Sequence, residues 1–397
     1  MKTVKSLLLG SAAALVVITG VQAADLPVAE PVEYVKVCST YGEGFFYIPG
    51  TNTCLQISGR VRTDLYVMSN ADKDLNDDST VWDTRGNIAA DARSETEWGT
   101  LRSYVEFEGT VSDGDNGVEV DQAFAQFAGL TVGYAQSFYD FLEYSFVNDM
   151  FSDEKVNQAA YTAAFGSGFS ATIAIEDRHD REVGFDILGE DSYGSQTWPN
   201  AIAAVRIDQA WGSAQLSGAL QQDRVNGIVP GHDSSLAWAA QAGLAINLPF
   251  FGTEGSKWWV QGAYTEGALS YAGGTDALAN TENDNLDNGG LIGDFTIDAD
   301  GDVRKTKAWS VGTGFAFQWS PTVVTSLAGF YMDGNQYGGG AFGLPDFKYY
   351  QALLNTTWTP VENLDLGVEV FYSKLKLDDG LPNDHVWGAV GRVERHF

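Results

Sequence analysis

The feature that most constrains this 397-residue chain is an alternation of apolar and polar side chains that recurs along most of its length. In Leu55–Val67 the odd-numbered positions are mainly apolar, whereas the even-numbered ones include Arg60, Arg62 and Asp64. Successive side chains of a β-strand point to opposite faces, so each such run predicts a strand with one apolar and one wet face. Sixteen runs of this kind predict strands near residues 54–68, 84–93, 98–110, 118–128, 130–137, 157–165, 169–177, 200–211, 213–224, 236–249, 257–270, 305–319, 322–332, 347–358, 363–377 and 385–397.

The predicted connections alternate between short and long, which decides among the all-β folds. Long connections are predicted at residues 69–83, 111–117, 138–156, 178–199, 225–235, 271–304, 333–346 and 378–384. Short turns on one rim and long loops on the other are typical of an outer-membrane barrel with periplasmic turns and extracellular loops. A soluble sandwich or propeller has no reason to alternate in this way. We therefore predict an all-β fold, a 16-stranded antiparallel transmembrane β-barrel over residues 54–397 with an inward-folded third loop.

Aromatic residues near the short turns also favour a membrane barrel. Rings that cluster at one rim are typical of the girdle at a membrane–water interface. After the N-terminus, no stretch approaches the roughly 18–20 consecutive apolar residues that a membrane helix needs. Only helices and closed barrels satisfy their backbone polar groups in lipid. The predicted girdle consists of Trp98, Trp211, Phe250, Phe251, Trp258, Trp259, Trp319 and Trp358.

The N-terminus has the composition of a cleaved signal peptide, which we place at residues 1–23. Two lysines precede an apolar run from Leu7 to Ile18, and Val21-Gln22-Ala23 supplies a small-x-small cleavage pattern. Residues 24–53 are then a polar lead-in segment before the first strand. The chain is therefore predicted to be exported.

Two cysteines, Cys38 and Cys54, lie close together near the predicted mature start. In an exported chain such a pair predicts one disulfide. Without a neighbouring histidine the two thiols make a poor zinc site, so no metal is expected. The chain also has no nucleophile elbow and no phosphate-binding glycine loop, and its four histidines fall in predicted loops or at the terminus. We therefore expect neither an enzyme nor a cofactor.

The charge of the chain is strongly acidic, with 53 Asp and Glu against 23 Lys and Arg, a net charge of −30. This balance argues against nucleic-acid binding, which needs a basic face. It fits a cation-attracting surface, or acidic loops bridged by divalent ions. The run Asp298–Asp302 lacks the glycine and the final glutamate of an EF-hand, which favours a solvated acidic loop.

The stretch Gln136–Val156 interrupts the strands and mixes aromatic rings with carboxylates. A loop exposed to water is normally polar. A loop folded against an inner wall needs rings as anchors and carboxylates toward a wet lumen. We therefore predict a constriction loop at about residues 138–156, whose acidic side consists of Asp140, Glu143, Asp149, Asp153 and Glu154, with Asp140 and Glu143 as the first candidates to face the pore.

Arginines on the water-facing side of the first three predicted strands are predicted to form the opposite, basic side of the pore. An arginine that faces lipid at mid-depth costs roughly 2–4 kcal/mol, so the lumen is the permitted direction. Pairing with neighbouring carboxylates such as Asp64, Asp91, Glu106 and Glu108 stays open as an alternative, and one arginine can do both. Opposed rows of charge order water and set ion selectivity. The predicted basic side consists of Arg60, Arg62, Arg85, Arg93 and Arg102.

Three segments carry a family resemblance: CSTYGEGFFYIPGTNTCLQISGRVR at 38–62, VGYAQSFYDF at 132–141 and WGAVGRVERHF at 387–397. They resemble the start, the approach to the constriction loop and the closing strand of the general diffusion porins of alphaproteobacteria. The last residue, Phe397, ends an amphipathic strand in the pattern by which outer-membrane barrels are recognised for assembly. The resemblance implies a homotrimer of sixteen-stranded barrels, each with its own water-filled pore. We expect it in the outer membrane of a Gram-negative bacterium, in contact with lipid and lipopolysaccharide.

The leading functional hypothesis is a porin that passes small hydrophilic solutes and ions passively, with a weak preference for cations that follows from the acidic total. Two alternatives stay open. A substrate-specific channel, for example for sugars, would carry a ladder of aromatic rings along the pore. A structural or adhesive outer-membrane barrel would bind a partner through its long loops, with an incidental pore.

Overall fold

The computed structural model describes residues 36–69, 80–112, 114–142, 150–187, 190–225, 234–249, 251, 253–274, 290–298, 300, 302–339, 343–378 and 384–397. The predicted signal peptide at 1–23, residues 24–35 of the lead-in segment, the girdle residue Phe250 and the carboxylates Glu143 and Asp149 lie outside these residues. Among the described residues, no helix is long and apolar enough to cross a membrane.

Sixteen long strands make up the main sheet, which confirms the predicted number. They are β1 Thr53–Met68, β2 Thr80–Thr96, β3 Gly99–Ser112, β4 Asp115–Phe127, β5 Leu130–Gln136, β6 Lys155–Gly166, β7 Phe169–Glu176, β8 Asn200–Gln209, β9 Gly212–Arg224, β10 Ser234–Asn247, β11 Lys257–Glu266, β12 Lys307–Ser320, β13 Val323–Asn335, β14 Phe347–Val361, β15 Leu364–Leu377 and β16 Asp384–His396.

Each strand pairs antiparallel with the next, and the last strand pairs with the first to close a barrel. The closing ladder between β1 and β16 runs from Arg60 opposite His396 to Met68 opposite Gly388. Closure matters because an open edge would leave backbone N–H and C=O groups without partners in lipid. The predicted transmembrane barrel is therefore confirmed.

The two faces of the strands differ as the period-2 pattern requires. On β1, Ile57, Val61 and Val67 are 45%, 54% and 48% exposed on the outer face, while Asp64 between them is fully buried inside. Apolar side chains can face lipid at no cost, whereas a carboxylate there would lose its hydration. The predicted assignment of outward-facing and inward-facing residues on β1 is thus correct.

Two details of the predicted barrel are wrong. The connection predicted at 111–117 is a tight turn, because β3 and β4 stay paired as far as Ser112 and Asp115. Its polar sequence looked like a loop, but ladder hydrogen bonds need only backbone, and Gly114 adopts φ +89° at the turn. Trp259 does not belong to the girdle: it is 1% exposed and faces inward. Its neighbour Trp258 takes the opposite face, since successive strand residues alternate.

A disulfide-closed hairpin lies at the short-turn end of β1. Cys38 and Cys54 are bonded, as predicted, and Phe46–Tyr47 pairs with Cys54 and Leu55. The guanidinium of Arg93 lies 4.9 Å from the centre of the Phe45 ring in this hairpin. The hairpin is therefore held against the wall both by the disulfide and by the start of the ladder.

The largest apolar cluster lies inside the barrel, where long loops pack on the inner wall of β11–β16. From the connection at 267–306, Leu269 and Ile292 are buried at 0% and 1% exposure. They join wall residues such as Phe330 and Tyr349. This side of the interior is packed and apolar, so the open lumen lies toward the other strands.

Candidate functional site

The loop between β5 and β6 is anchored at its base by the strand ladder. The last ladder pair joins Gln136 to Lys155, and the N–H of Ser137 then donates to the carbonyl oxygen of Glu154 at 2.9 Å. From this base the chain leaves the wall as the predicted constriction loop, described here over residues 137–142 and 150–154.

The first half of the loop crosses the interior to β9 and β10, which follow β5 by four and five strands in the sheet. The carbonyl oxygen of Tyr139 accepts hydrogen bonds from Gln215 at 3.0 Å, Ser217 at 2.8 Å and Gln241 at 2.8 Å. These donors lie on the inner faces of β9 and β10, and all three are buried. The Tyr139 ring is itself fully buried. The loop is therefore folded into the barrel.

Aromatic rings of the loop fit where the wall carries glycine. A Cβ atom at Gly312 would lie 2.5 Å from Cζ of Phe151, and one at Gly243 would lie 2.2 Å from Cδ1 of Phe141. Both distances are below van der Waals contact, so the rings occupy space that only glycine leaves free. Phe151 also packs edge-to-face against Trp259, with ring centres 5.5 Å apart.

Asp140 is the hydrogen-bonding centre of the loop. Its carboxylate accepts bonds from the Gln136 amide at 2.8 Å, from the Glu154 backbone N–H at 2.8 Å and from the Ser152 hydroxyl. It also forms an ion pair with Arg181 at 3.1 Å. The charge of Asp140 is therefore compensated by a residue of another loop, Arg181, although the Asp140 side chain borders the lumen.

Glu154 and Asp153 border the same lumen on the return half of the loop. Burial raises the pKa of Glu154 to about 7; Arg181 opposes the rise, and the charges of Asp140 and Asp180 add to it. Glu154 therefore changes its charge near neutral pH.

One cavity of about 1130 Å³ has the acidic loop on one side and a basic wall on the other. Thirteen charged side chains line it: the basic ones are Arg60, Arg62, Arg85, Lys155, Arg206 and Arg392, and the acidic ones are Glu106, Glu108, Asp121, Asp140, Asp153, Glu154 and Glu394. Three of the five arginines predicted for the basic side and three of the five predicted carboxylates are in this set. Arg93 and Arg102 do not line the cavity; both bind Asp91, at 2.6 and 3.0 Å, toward the short turn.

The wall arginines line the lumen and pair with carboxylates at the same time. Arg60 and Arg85 both bind Glu108, at 3.3 and 3.2 Å, and Arg62 lies 3.2 Å from Asp64. Arg62 also stands directly opposite Arg85 in the β1–β2 register. Like charges in such a pair repel, and the neighbouring carboxylates offset that repulsion. Contact with the cavity and ion pairing are therefore compatible in these arginines.

Sequence reasoning missed Arg206, Arg392 and Arg181. The alternation of side chains along the strands could have identified Arg206 and Arg392 as inward-facing. Arg392, for example, lies between the outward-facing Gly391 and Val393. Arg181 lies in the β7–β8 connection at 177–199, where no periodicity indicates a direction. Only the folded arrangement reveals its contact with Asp140.

A closed barrel that is apolar outside, charged inside and narrowed by an inward loop defines a class of protein, the outer-membrane porins. Such proteins are channels of the outer membrane of Gram-negative bacteria.

Comparison with known proteins agrees with this class. A family model described as "Porin subfamily" matches residues 25–388. Porin Omp2b of Brucella canis is 31% identical over 423 residues, which cover 99% of each chain. The chain therefore belongs to the porin subfamily. The barrel fold agrees with that membership, which indicates the outer membrane of a Gram-negative bacterium as its location.

Solved structures share the fold at much lower sequence identity. The outer membrane channel DcaP of Acinetobacter baumannii superposes with a TM-score of 0.70 at 16% identity, covering 88% of this chain and 99% of that one. The trimer form of OmpT of Vibrio cholerae gives 0.52 at 10% identity, covering 87% and 100%. At such identities the likeness concerns the barrel fold alone.

Proposed function

We propose that this porin forms a water-filled channel through which small hydrophilic solutes and ions diffuse passively. The observation that carries the proposal is the cavity of about 1130 Å³ between the acidic loop and the arginine wall. Opposed charges across a narrow lumen order water and favour polar solutes, because apolar solutes must disrupt that order. No chemical step is needed for such transport.

The channel is proposed to prefer cations weakly. The wall arginines are largely balanced by Asp64, Asp83 and Glu108, and Asp140 is balanced by Arg181. Asp153 and Glu154 then add acidic charge at the loop, within a chain of net charge −30. An excess of carboxylates at a constriction attracts cations. Glu143 and Asp149 remain proposed members of the acidic side.

A substrate-specific channel is the weaker candidate. The loop rings are the sequence candidates for its aromatic ladder, but Tyr139 and Phe151 are buried at 0% and 3% exposure against the wall. These rings serve as anchors, which leaves Phe141 as the described loop ring at the cavity. An adhesive role has no comparable support, since the described parts of two long loops pack inside the barrel.

The assembled form is proposed to be a homotrimer that contacts outer-membrane lipid and lipopolysaccharide. The exposed apolar residues of the outer face, such as Val61 and Ile173, would face lipid or a second copy. OmpT of Vibrio cholerae, which shares the fold, has been solved in a trimer form. Phe397 remains the proposed assembly signal, and its backbone pairs with Gly59 at 3.0 and 2.9 Å.

Conductance across a planar bilayer tests the function. Purified protein should produce discrete conductance steps, and a salt gradient should give a small reversal potential of the sign expected for cation preference. Absence of steps would contradict the channel. Saturable block by one solute, such as a sugar, would favour the substrate-specific alternative. Chemical cross-linking that yields no trimer would contradict the proposed assembly.

A further inference from the structure

Arg181 is a fully buried arginine that does not belong to the barrel wall. It ends a short 3₁₀ turn, His179–Arg181, in the loop between β7 and β8. Its side chain is 0% exposed, and its guanidinium lies 4.5 Å from the centre of the Tyr271 ring. Tyr271 comes from the connection at 267–306, so Arg181 is held between two long loops.

The guanidinium of Arg181 joins the two halves of the constriction loop. One amino group donates to both carboxylate oxygens of Asp140, each at 3.1 Å. The other donates to the hydroxyl of Ser152, which itself donates to Asp140. Asp140 precedes the loop tip and Ser152 follows it. A planar guanidinium can hold such a set of acceptors in fixed geometry, which an ammonium cannot.

The charges around Arg181 keep it ionised. Burial by itself lowers the pKa of Arg181, but the charges of Asp140, Glu176 and Glu154 raise it above the ordinary value. Glu176 lies at the end of β7 and accepts the Ser137 hydroxyl at 2.9 Å. A buried positive charge thus contacts the constriction loop from a neighbouring loop rather than from a wall strand.

We propose that Arg181 is the positioning residue of the constriction: it holds both halves of the loop across the lumen and cancels the charge of Asp140. The acidic charge that solutes meet then comes from carboxylates other than Asp140. This inference rests on the proposed channel function, and it assigns to a residue outside the pore wall control over the charge and rigidity of the narrowest part.

The test measures the cation-to-anion permeability ratio, from the reversal potential in a KCl gradient, for Arg181→Gln, Asp140→Asn and the double variant. One elementary charge about 7 Å away through water changes the energy of an ion by roughly RT, with opposite signs for a cation and an anion, so each single change should shift the ratio by up to about sevenfold. Arg181→Gln should shift it toward cations and Asp140→Asn toward anions. The double variant should return to the wild-type ratio.

Arg181→Lys separates charge from geometry. It keeps the positive charge but loses the planar contact with Asp140 and Ser152, so the ratio should stay near wild type while the open-channel noise rises. Arg178→Gln is the matched control. Arg178 is 1% exposed in the same loop, but it pairs with Glu182 and donates to the carbonyls of Gln222 and Gly194 at 2.7 and 2.6 Å rather than to the constriction loop. Its loss should change neither ratio nor noise.

Single variants that both keep the wild-type ratio would overturn the proposal. So would Arg178→Gln if it shifted the ratio as much as Arg181→Gln, because the effect would then be general loosening of the loop. If Arg181→Gln fails to assemble, Arg181→Lys decides, since open-channel noise equal to that of the wild type would then overturn the proposal. Wild-type protein without conductance steps would instead refute the channel function, before any variant is compared.

Discussion

Removing the ring of Phe151 should release the constriction loop without unfolding the barrel. The ring is 3% exposed and packs edge-on against Trp259 and Phe330, with ring centres 5.5 and 5.8 Å away. Truncating such a buried phenylalanine to alanine costs about 3–5 kcal/mol. The sixteen-stranded ladder does not depend on this contact, so the loss falls on docking of the loop. At about 1.4 kcal/mol per tenfold, the undocked fraction should rise roughly 100- to 4,000-fold.

Single-channel recording in planar bilayers detects this release. Phe151→Ala should show larger or more variable conductance steps and higher open-channel noise than wild type. Phe107→Ala is the control, because its ring is 44% exposed on the outer face of β3 and removing it leaves the lumen intact. Phe151→Ala protein that assembles normally and conducts like wild type, with equal noise, would refute the idea that this ring anchors the loop.

Three further predictions concern the charge of Glu154, the inner and outer faces of β1, and the disulfide-closed hairpin. The pKa of Glu154 is raised from 4.5 to about 7, so its contribution to loop stability should be full below pH ~4.5 and should be lost as the pH rises through ~7. The preference of the channel for cations should grow over the same range, because Glu154 then becomes negatively charged. Glu154→Gln should flatten that step in reversal potential; an unchanged step would mean that another group titrates. Cysteine at Arg62 should react with a water-soluble thiol reagent in intact membranes and cysteine at Val61 should not, whereas the reverse result would invert the assigned faces. Replacing Cys38 and Cys54 by serine opens a loop of sequence separation 16 and should cost the hairpin about 3 kcal/mol, seen as faster amide hydrogen exchange over residues 38–54. Unchanged exchange would mean that strand pairing alone holds the hairpin.

Local periodicity was sufficient to predict the barrel. All sixteen strands lie where the alternation of side chains places them, because in a membrane barrel each strand meets lipid on one side and water on the other. The same rule, applied strictly, separates Trp258 from Trp259 and directs Arg392 inward. Pairing of Cys38 with Cys54 also followed from the sequence, since the chain offers no other cysteine in an exported context.

The constriction was only partly predictable. The sequence indicated which loop folds inward and which residue types it carries. It did not indicate that Asp140 forms an ion pair with Arg181. These two residues are 41 positions apart and lie in different loops. Val183 and Asp294, joined at 2.8 Å, are 111 apart. Loop residues have no periodicity that assigns them a direction. Their partners are decided only when closure of the barrel brings the ends of distant strands around one interior, and there burial requires each charged group to find an opposite charge or hydrogen-bond donors and acceptors.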